Sequence, residues 1–414
     1  MKILVVSQYF WPENFRINEL VVEWVRRGHQ VTVLTGLPNY PEGRVLDDFR
    51  ADPGKYAVLE GAEIVRVPML PRGQGRISLV LNYLSYALSA SLWGAWKLRG
   101  RPFDVIFTFE PSPILVGVPS AFLRWIKGAP QAFWVLDLWP ETLRAVGVLR
   151  SPRMLAAVGR LVRWVYARCD LILAQSRSFV GDIAHYAPEG RRIAYFPAWA
   201  DAIFDAGEAA PAAEVPDGKG VFTVMFAGNI GEAQDFPAIL DAAERLLARQ
   251  DIRWVIVGDG RMAGWVREQV EARGLSSRVL MVGRHPLERM PSFFAHADAL
   301  LLSLRDEAVF SMTIPGKLQS YLAAGMPVLA MLNGEGARIV EDAGAGLICR
   351  AGDGAGLAAI VARMAAMDPA ERREMGRKGR RFCEQEFDRD RLIDRLDGWL
   401  VALTDDARQQ GGGR

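Results

Sequence analysis

Phe222-Thr223-Val224-Met225-Phe226-Ala227-Gly228-Asn229-Ile230-Gly231 is a six-residue apolar and β-branched run that stops at a glycine-punctuated turn, with a helical pattern following from about Phe236. A short run without polar alternation reads as a strand buried on both faces, as in parallel sheets covered by crossover helices. Glycines at such a turn permit positive φ and let backbone N–H groups approach an anion, and the start of the next helix favours negative charge. Gly228, Asn229 and Gly231 are therefore anion-site candidates. A tight connection without a ligand is an equal reading of the same residues.

The pattern repeats outward in both directions. Downstream, strand-like runs fall near 253–257, 278–282, 298–303, 327–331 and 346–349; upstream they fall near 2–7, 30–35, 63–67, 103–108, 130–135, 170–174 and 192–195. Strands alternating with helical patterns over 414 residues predict an α/β chain of two Rossmann-like doubly wound domains. The expected division is an N-terminal domain over 1–200, a linker over 201–220 without periodicity, and a C-terminal domain over 221–385. A helix at 386–404 could cross back onto the first domain, and 405–414, ending in Gln-Gln-Gly-Gly-Gly, reads as a flexible tail. No internal repeat of solenoid length is present.

Three separated cysteines, Cys169, Cys349 and Cys383, argue against a disulfide framework and show no zinc spacing. The strand-like run Ile3 to Val6 begins at once, with no basic-then-apolar leader, so no signal peptide is expected. The net charge of +2 conceals an asymmetry: residues 1–200 carry 24 Lys and Arg against 16 Asp and Glu, and residues 201–414 carry 26 against 32. Between Arg72 and Arg177 the count is 14 against 5, which points to an anionic surface as a partner of the first half. Arginines on ordinary solvated helices are the plain alternative.

Several loops after strands carry candidate chemistry. Gly258-Asp259-Gly260-Arg261-Met262-Ala263 fits the dinucleotide fingerprint, but the next strand ends at Gly283-Arg284-His285 where an acid would hold a ribose. An arginine there suits a phosphate or a carbonyl-rich base edge, which disfavours nicotinamide and flavin chemistry. Met312-Thr313-Ile314-Pro315-Gly316-Lys317 opens a helix that ends at Ala324-Gly325, and Lys317 in its first turn could hold an anion with the free N–H groups. In the first half, the loop Ser7 to Glu19 offers Arg16 for phosphate and Asn14 and Glu19 for sugar hydroxyls. Asp137, after the strand Phe133 to Leu136, and Glu110, after the strand at 103–108, are carboxylates at strand carboxyl ends, placed for electrostatic work or, in the case of Asp137, for a helix cap.

The chain resembles the bacterial retaining glycosyltransferases of family 4, with the GT-B fold of two such domains facing across a cleft. It is most similar to the branch of N-acetyl-L-fucosamine transferases and colanic acid transferases that build O-antigen or capsule units. The resemblance rests on the order and spacing of KILVVSQYFWPENFRINELV at the start, LDLWPE at 136–141, GNIG with Gln234, VGDG, and IPGKLQSYLAAGMPV at 314–328. It implies a donor diphosphate near Gly231 and Lys317, flanked by Gly228, Asn229, Gln234, Gly258, Thr313, Pro315, Gly316 and Ser320, with the base beside Arg284 and His285. It implies transfer without a dedicated nucleophile: the donor phosphate takes the acceptor proton, cationic side chains offset the leaving charge, and no metal or other cofactor is used. Where the wider family carries an Arg and a Lys this chain has Asn229 and Gln234. Met312 and Ser320 stand in place of a glutamate pair, and Leu136 or Asp137 in place of a histidine. A less hydroxylated sugar, such as a deoxy amino sugar, would need fewer polar partners.

Ile77 to Trp96 is twenty residues without a charge, flanked by Arg76 and by Lys97, Arg99 and Arg101. Ser78, Asn82, Ser85 and Ser89 form a polar stripe at helical spacing, which fits a surface-lying or partly buried helix better than a spanning one. Met154 to Arg168 is a second basic amphipathic candidate. A lipid-linked saccharide acceptor and an anionic membrane surface, on the cytoplasmic face of the inner membrane, would use these features together; no nucleic acid partner is implied. The rival readings are a UDP-sugar 2-epimerase of the same architecture and a nonenzymatic nucleotide-sugar-binding protein. The epimerase would want clustered histidines, whereas His29, His185, His285 and His296 are scattered.

Overall fold

The computed structural model of the chain describes residues 1–73, 75–145, 149, 151–205, 209–218 and 220–411. The first sheet comprises β1 (Lys2–Val6), β2 (Gln30–Thr35), β3 (Val58–Leu59), β4 (Ala62–Arg66), β5 (Val105–Glu110), β6 (Gln131–Val135), β7 (Leu171–Ala174) and β8 (Arg192–Tyr195), in the order β3-β4-β2-β1-β5-β6-β7-β8. The second comprises β9 (Phe222–Ala227), β10 (Ile252–Val257), β11 (Val279–Gly283), β12 (Ala299–Ser303), β13 (Val328–Met331) and β14 (Gly346–Cys349), in the order β11-β10-β9-β12-β13-β14. Every pairing is parallel except β3 with β4. Every residue of β5, β6, β7, β9, β12 and β13 is buried, polar Thr108, Glu110, Gln131, Thr223 and Ser303 included, as strands between two helix layers require. The antiparallel β3 is an addition to the expected strands, two residues too short to show a period.

The chain divides into two compact units, Met1–Phe196 with Asp390–Arg414, and Pro197–Arg389. In the first, right-handed crossovers set the helix Arg16–Arg26 on one face and Arg76–Lys97, Gly117–Lys127 and Pro152–Tyr166, neighbours in that order, on the other. Ile17, Leu20, Val21 and Trp24 recur at helical spacing, which is why Arg16–Arg26 buries a single stripe.

The helix Arg389–Gly411 returns to this unit after the second sheet is finished. Leu392, Ile393, Leu396, Leu400 and Leu403 are buried along it. Asp397 accepts from Trp24 Nε1 at 2.7 Å and from Arg27 Nη1 at 3.0 Å, and Asp394 pairs with Arg27 at 2.6 Å. The expected tail at 405–414 is corrected: the helix continues through Asp405 to Gly411, held by an Asp405–Arg408 pair and by Arg408 to Asp104 at 3.3 Å. Residues 412–414 lie outside the described residues. The stretch expected as a linker is bound to the second unit, Ala212 N–H donating to Ser292 at 3.0 Å and Arg289 pairing with Glu214 at 2.9 Å.

Candidate functional site

In the second unit the strand order reverses beside β9, so the loops after β9 and β12 diverge, where doubly wound sheets bind ligands. The loops after β9 and β10 are glycine-built because they touch. A Cβ on Gly258 would lie 1.9 Å from the Gly228 carbonyl oxygen, and one on Gly260 would lie 2.4 Å from that of Ile230. Gly228 and Gly258 hold φ of +131° and +148°, which other residues rarely adopt.

Hydrogen bonds close this contact. Gly228 N–H donates to Val257 at 2.8 Å, Ile230 N–H to Asp259 at 2.9 Å, Gly258 N–H to Gly283 at 2.7 Å, and Gly231 N–H to Gln234 Oε1 at 3.1 Å. The expectation that these amides meet an anion is thereby corrected, since protein acceptors already take them. Asn229 Nδ2 donates to Gln234 Oε1 at 3.4 Å and the Ser303 hydroxyl to the Gln234 carbonyl at 2.7 Å, so these polar side chains brace the turn.

What the glycine turn leaves open is room for Lys317. A Cβ on Gly228 would stand 2.4 Å from Lys317 Cε and 2.8 Å from Nζ. Lys317 lies in the first turn of Gly316–Ala323, with Pro315 as the extended residue before it. Its Nζ sits 3.7 Å from the Phe226 ring centroid, enclosed and without a hydrogen-bond partner. Burial pushes its pKa down to about 7. A desolvated ammonium over an aromatic face recovers about 2 kcal/mol, less than the several kcal/mol that an unpaired buried charge costs. The imbalance favours an arriving anion, and the positive end of the helix dipole acts in the same direction.

Other predicted donor residues have protein partners. Ser320 donates to Asp201 at 2.9 Å, and Thr313 to the Val309 carbonyl at 2.8 Å, which closes the preceding turn. His285 packs 4.6 Å from Phe293, with Nε2 3.0 Å from the Val282 carbonyl; it holds its loop in place. Arg284 beside it is exposed. The structure thus brings Gly228, Asn229, Gly231, Gln234, Gly258 and Lys317 together, and gives Ser320, Thr313 and His285 structural duties.

In the first unit the reversal falls at β1, between β2 and β5. The loop after β1 is organised by Glu13, which the sequence reading passed over. Its buried carboxylate accepts from the N–H groups of Phe10 at 3.1 Å and of Asn39 and Tyr40, each at 2.7 Å. Burial raises its pKa to about 7 against the pull of those bonds and of Arg66. Arg66 donates to the Gly36 carbonyl at 2.8 Å and to that of Trp11, and burial lowers its own pKa to about 10. An acid wedged among aromatics and a proline was the available signal. Asn14 is exposed, while Arg16 pairs with Glu19 at 2.8 Å, so two expected ligand contacts meet each other instead.

Glu110 ends β5 fully buried, and among the described residues no side chain pairs with its carboxylate. Burial, together with the charge of Asp137, holds its pKa well above the usual range. Asp137, just after the adjacent β6, accepts from Trp139 Nε1 at 3.3 Å and from the Thr142 hydroxyl. Burial raises its pKa while those bonds and the Ser112 hydroxyl restrain it. Glu110 and Asp137 thus stand at the ends of neighbouring strands, and burial disfavours the charged form of each.

The polar stripe of Arg76–Lys97 faces the protein. Asn82 is fully buried, accepting from Gln8 Nε2 at 2.7 Å and donating to the Leu70 carbonyl at 2.6 Å, and Ser89 and Tyr86 lie on the same inward side. The outward side is apolar: Ile77, Val80, Leu81, Leu84, Leu88, Leu92, Trp93 and Trp96 are exposed, Ile77 by 78% and Leu88 by 63%. Trp125, on the adjacent helix, is 78% exposed. Among the described residues no helix is long and apolar enough to cross a membrane.

Each unit is a Rossmann-like sheet, the second with a glycine turn around a buried lysine, and comparison with known proteins gives both a family. The family profile for glycosyl transferases group 1 matches residues 221–367, and that for the glycosyl transferase 4-like domain matches residues 14–199. The chain belongs to the family 4 glycosyltransferases of GT-B fold, and it is an enzyme of that class. It is 26% identical over 276 residues to the glycosyltransferase WbjE of Pseudomonas aeruginosa, spanning 65% of this chain and 68% of that one. To WcaI of Escherichia coli K12, named for colanic acid biosynthesis, it is 24% identical over 342 residues, 78% of this chain and 82% of the relative. HepE of Anabaena, solved with UDP and glucose, superposes with a TM-score of 0.67 at 15% identity over 97% of this chain and 99% of that one. At that identity the likeness is one of fold.

Proposed function

We propose that the protein is a retaining glycosyltransferase of surface polysaccharide biosynthesis. It moves a deoxy amino sugar, N-acetyl-L-fucosamine being the leading case, from a UDP-sugar to an undecaprenyl-diphosphate-linked saccharide at the cytoplasmic face of the inner membrane. The observation that carries this reading is the enclosed, unpartnered ammonium of Lys317 at a helix start over the Gly228 turn. The UDP held by HepE supports the donor class, and the relative named for colanic acid biosynthesis supports the pathway.

In this reading the acceptor hydroxyl forms the new bond to the anomeric carbon as the bond from that carbon to the UDP oxygen breaks. The acceptor proton passes to the departing diphosphate, whose growing charge Lys317 offsets without a divalent ion. The few free hydroxyl partners left by Met312, Ser320 and Asn229 suit a deoxy sugar. The exposed apolar row on Arg76–Lys97 suits attachment to a lipid surface.

The test is incubation of the full chain with a panel of UDP- and GDP-sugars, with and without an undecaprenyl-diphosphate disaccharide, in the presence of EDTA. Transfer of an α- or β-linked sugar with the donor's own anomeric configuration is expected. Isomerisation of the donor, or inversion at the anomeric carbon, would overturn it.

A further inference from the structure

An open cavity of about 970 Å³ lies in the first unit between the turn at Pro140–Arg144 and the helix Pro152–Tyr166. Four guanidinium groups line it, those of Arg144, Arg153, Arg160 and Arg163. The last three stand at i, i+7 and i+10, on one face of the helix. Among the described residues none of the four has a carboxylate within ion-pairing distance; Arg163 instead lies 5.4 Å from the centroid of Tyr186. Glu141, in the turn that borders the cavity, is engaged by the Tyr186 hydroxyl at 3.0 Å. Four clustered cations against one acid repel one another unless an anion joins them.

The remaining wall is apolar, from Pro140, Pro152, Leu155 and Ala156, and Gly159 keeps the floor clear, since a Cβ there would stand 3.2 Å from the Tyr186 ring. The same helix exposes Met154 and Trp164, and its neighbour exposes Trp125. A small inorganic anion would leave most of that volume and all of that apolar surface unused. A nucleotide would expect a stacking face free of cations, whereas Tyr186 is already covered by Arg163.

We propose that this cavity binds the anionic head of a phosphorylated lipid, a polyprenyl diphosphate in charge and shape. The diphosphate sits among the four arginines, and the chain leaves over Leu155 and Ala156 toward the exposed row of tryptophans. The inference rests on the acceptor reading above, adds a place for it, and can fail separately from it.

The experiment titrates the full chain with geranylgeranyl diphosphate, inorganic pyrophosphate, UDP and geranylgeraniol, and repeats each titration on R160E/R163E. The expected result is at least tenfold tighter binding of geranylgeranyl diphosphate than of pyrophosphate, lowered at least tenfold by the double substitution at an unchanged melting temperature. Pyrophosphate binding of equal affinity that the double substitution removes would make this a free-phosphate site, UDP binding weakened at least tenfold by it a nucleotide site, and an undiminished prenyl diphosphate titration of the variant would put the lipid elsewhere; each overturns the proposal. Arg153→Glu, in the first helical turn, replaces the double variant if that one does not fold. Transfer to a water-soluble saccharide together with absent prenyl diphosphate binding removes the cavity and leaves the enzyme reading. Arginine-dependent prenyl diphosphate binding without transfer to any acceptor does the reverse.

Discussion

The Lys317 ammonium lies 3.7 Å from the centroid of the Phe226 ring, with no hydrogen-bond partner to share its charge. Burial alone lowers its pKa to about 7. A bound diphosphate raises it again, so binding is coupled to proton uptake wherever the free protein has lost that proton. Affinity for UDP is expected to be flat from pH 6.5 to 7 and to weaken toward tenfold per pH unit above it. The second phosphate ionisation, near pH 6, lies outside that range. Calorimetric titration of UDP at pH 6.5, 7.5 and 8.5 reads the slope. Lys317→Met should weaken binding by about 10–100-fold at pH 6.5 and abolish the slope.

The same group makes an opposite prediction for stability. Because its folded pKa is below the unfolded value, the unfolded chain binds more protons between about pH 7 and 10, and stability from this group rises with pH across that window. Lys317→Met should therefore raise folding stability most below pH 7, by roughly 2–5 kcal/mol, with the gain shrinking toward pH 10. Thermal unfolding of both proteins at pH 6.5 and 9.5 measures the difference.

Gly258 and Gly228 separate fold from function. A methyl on Gly258 meets the Gly228 backbone oxygen at 1.9 Å, which cannot move without β9, whereas one on Gly228 meets the end of a flexible lysine. Gly258→Ala should destabilise by more than about 3 kcal/mol in denaturant unfolding. Gly228→Ala should lose about tenfold in UDP affinity, with a smaller stability loss from its φ of +131°.

The parallel strands and the two sheets were legible because buried runs such as Phe222–Ala227 announce themselves by length and by the turns that bound them. The two-residue β3 had no period to read. The helical ending through Gly411 belongs to the first unit, where Arg408 pairs with Asp104 304 positions earlier, and no local pattern contains that return. At the site, the sequence marked Lys317 and the glycine turns, but the distance that makes one glycine serve a lysine and another serve a carbonyl is a tertiary fact. Ser320 and His285 carried suitable chemistry and were claimed by Asp201 and Phe293. Glu13 was hidden because its partners are backbone amides at 39 and 40, and backbone amides leave no signature in residue identity.

Glu110 and Asp137 differ in what removing the charge should do. The raised folded pKa of Glu110 means that the folded chain holds more protons, so its contribution is complete below the unfolded value of about 4.3 and is lost as pH rises through the folded one. Glu110→Gln should melt higher than the parent at pH 8, with a smaller difference at pH 5. Asp137→Asn should be less stable at both, by about 1–3 kcal/mol, because one of the acceptors used by Trp139 and Thr142 becomes a donor.

The helix Arg76–Lys97 turns its amide and hydroxyl groups inward and its leucines outward, so two substitutions that look alike in composition should act on different properties. Asn82→Leu leaves Gln8 and the Leu70 carbonyl without their buried partner and should destabilise by about 1–3 kcal/mol in denaturant unfolding. L84E/L88E alters residues that touch mainly solvent and should leave unfolding within about 1 kcal/mol of the parent. Each buried leucine contributes about 1.5–3 kcal/mol when it enters an apolar phase, so the double variant should reduce co-sedimentation with anionic phosphatidylglycerol vesicles more than tenfold. Asn82→Leu, where folded, should sediment as the parent does. Equal sedimentation of L84E/L88E and the parent would mean that the apolar row is not the surface that meets lipid. Loss of folding in L84E/L88E would mean that the row packs on protein.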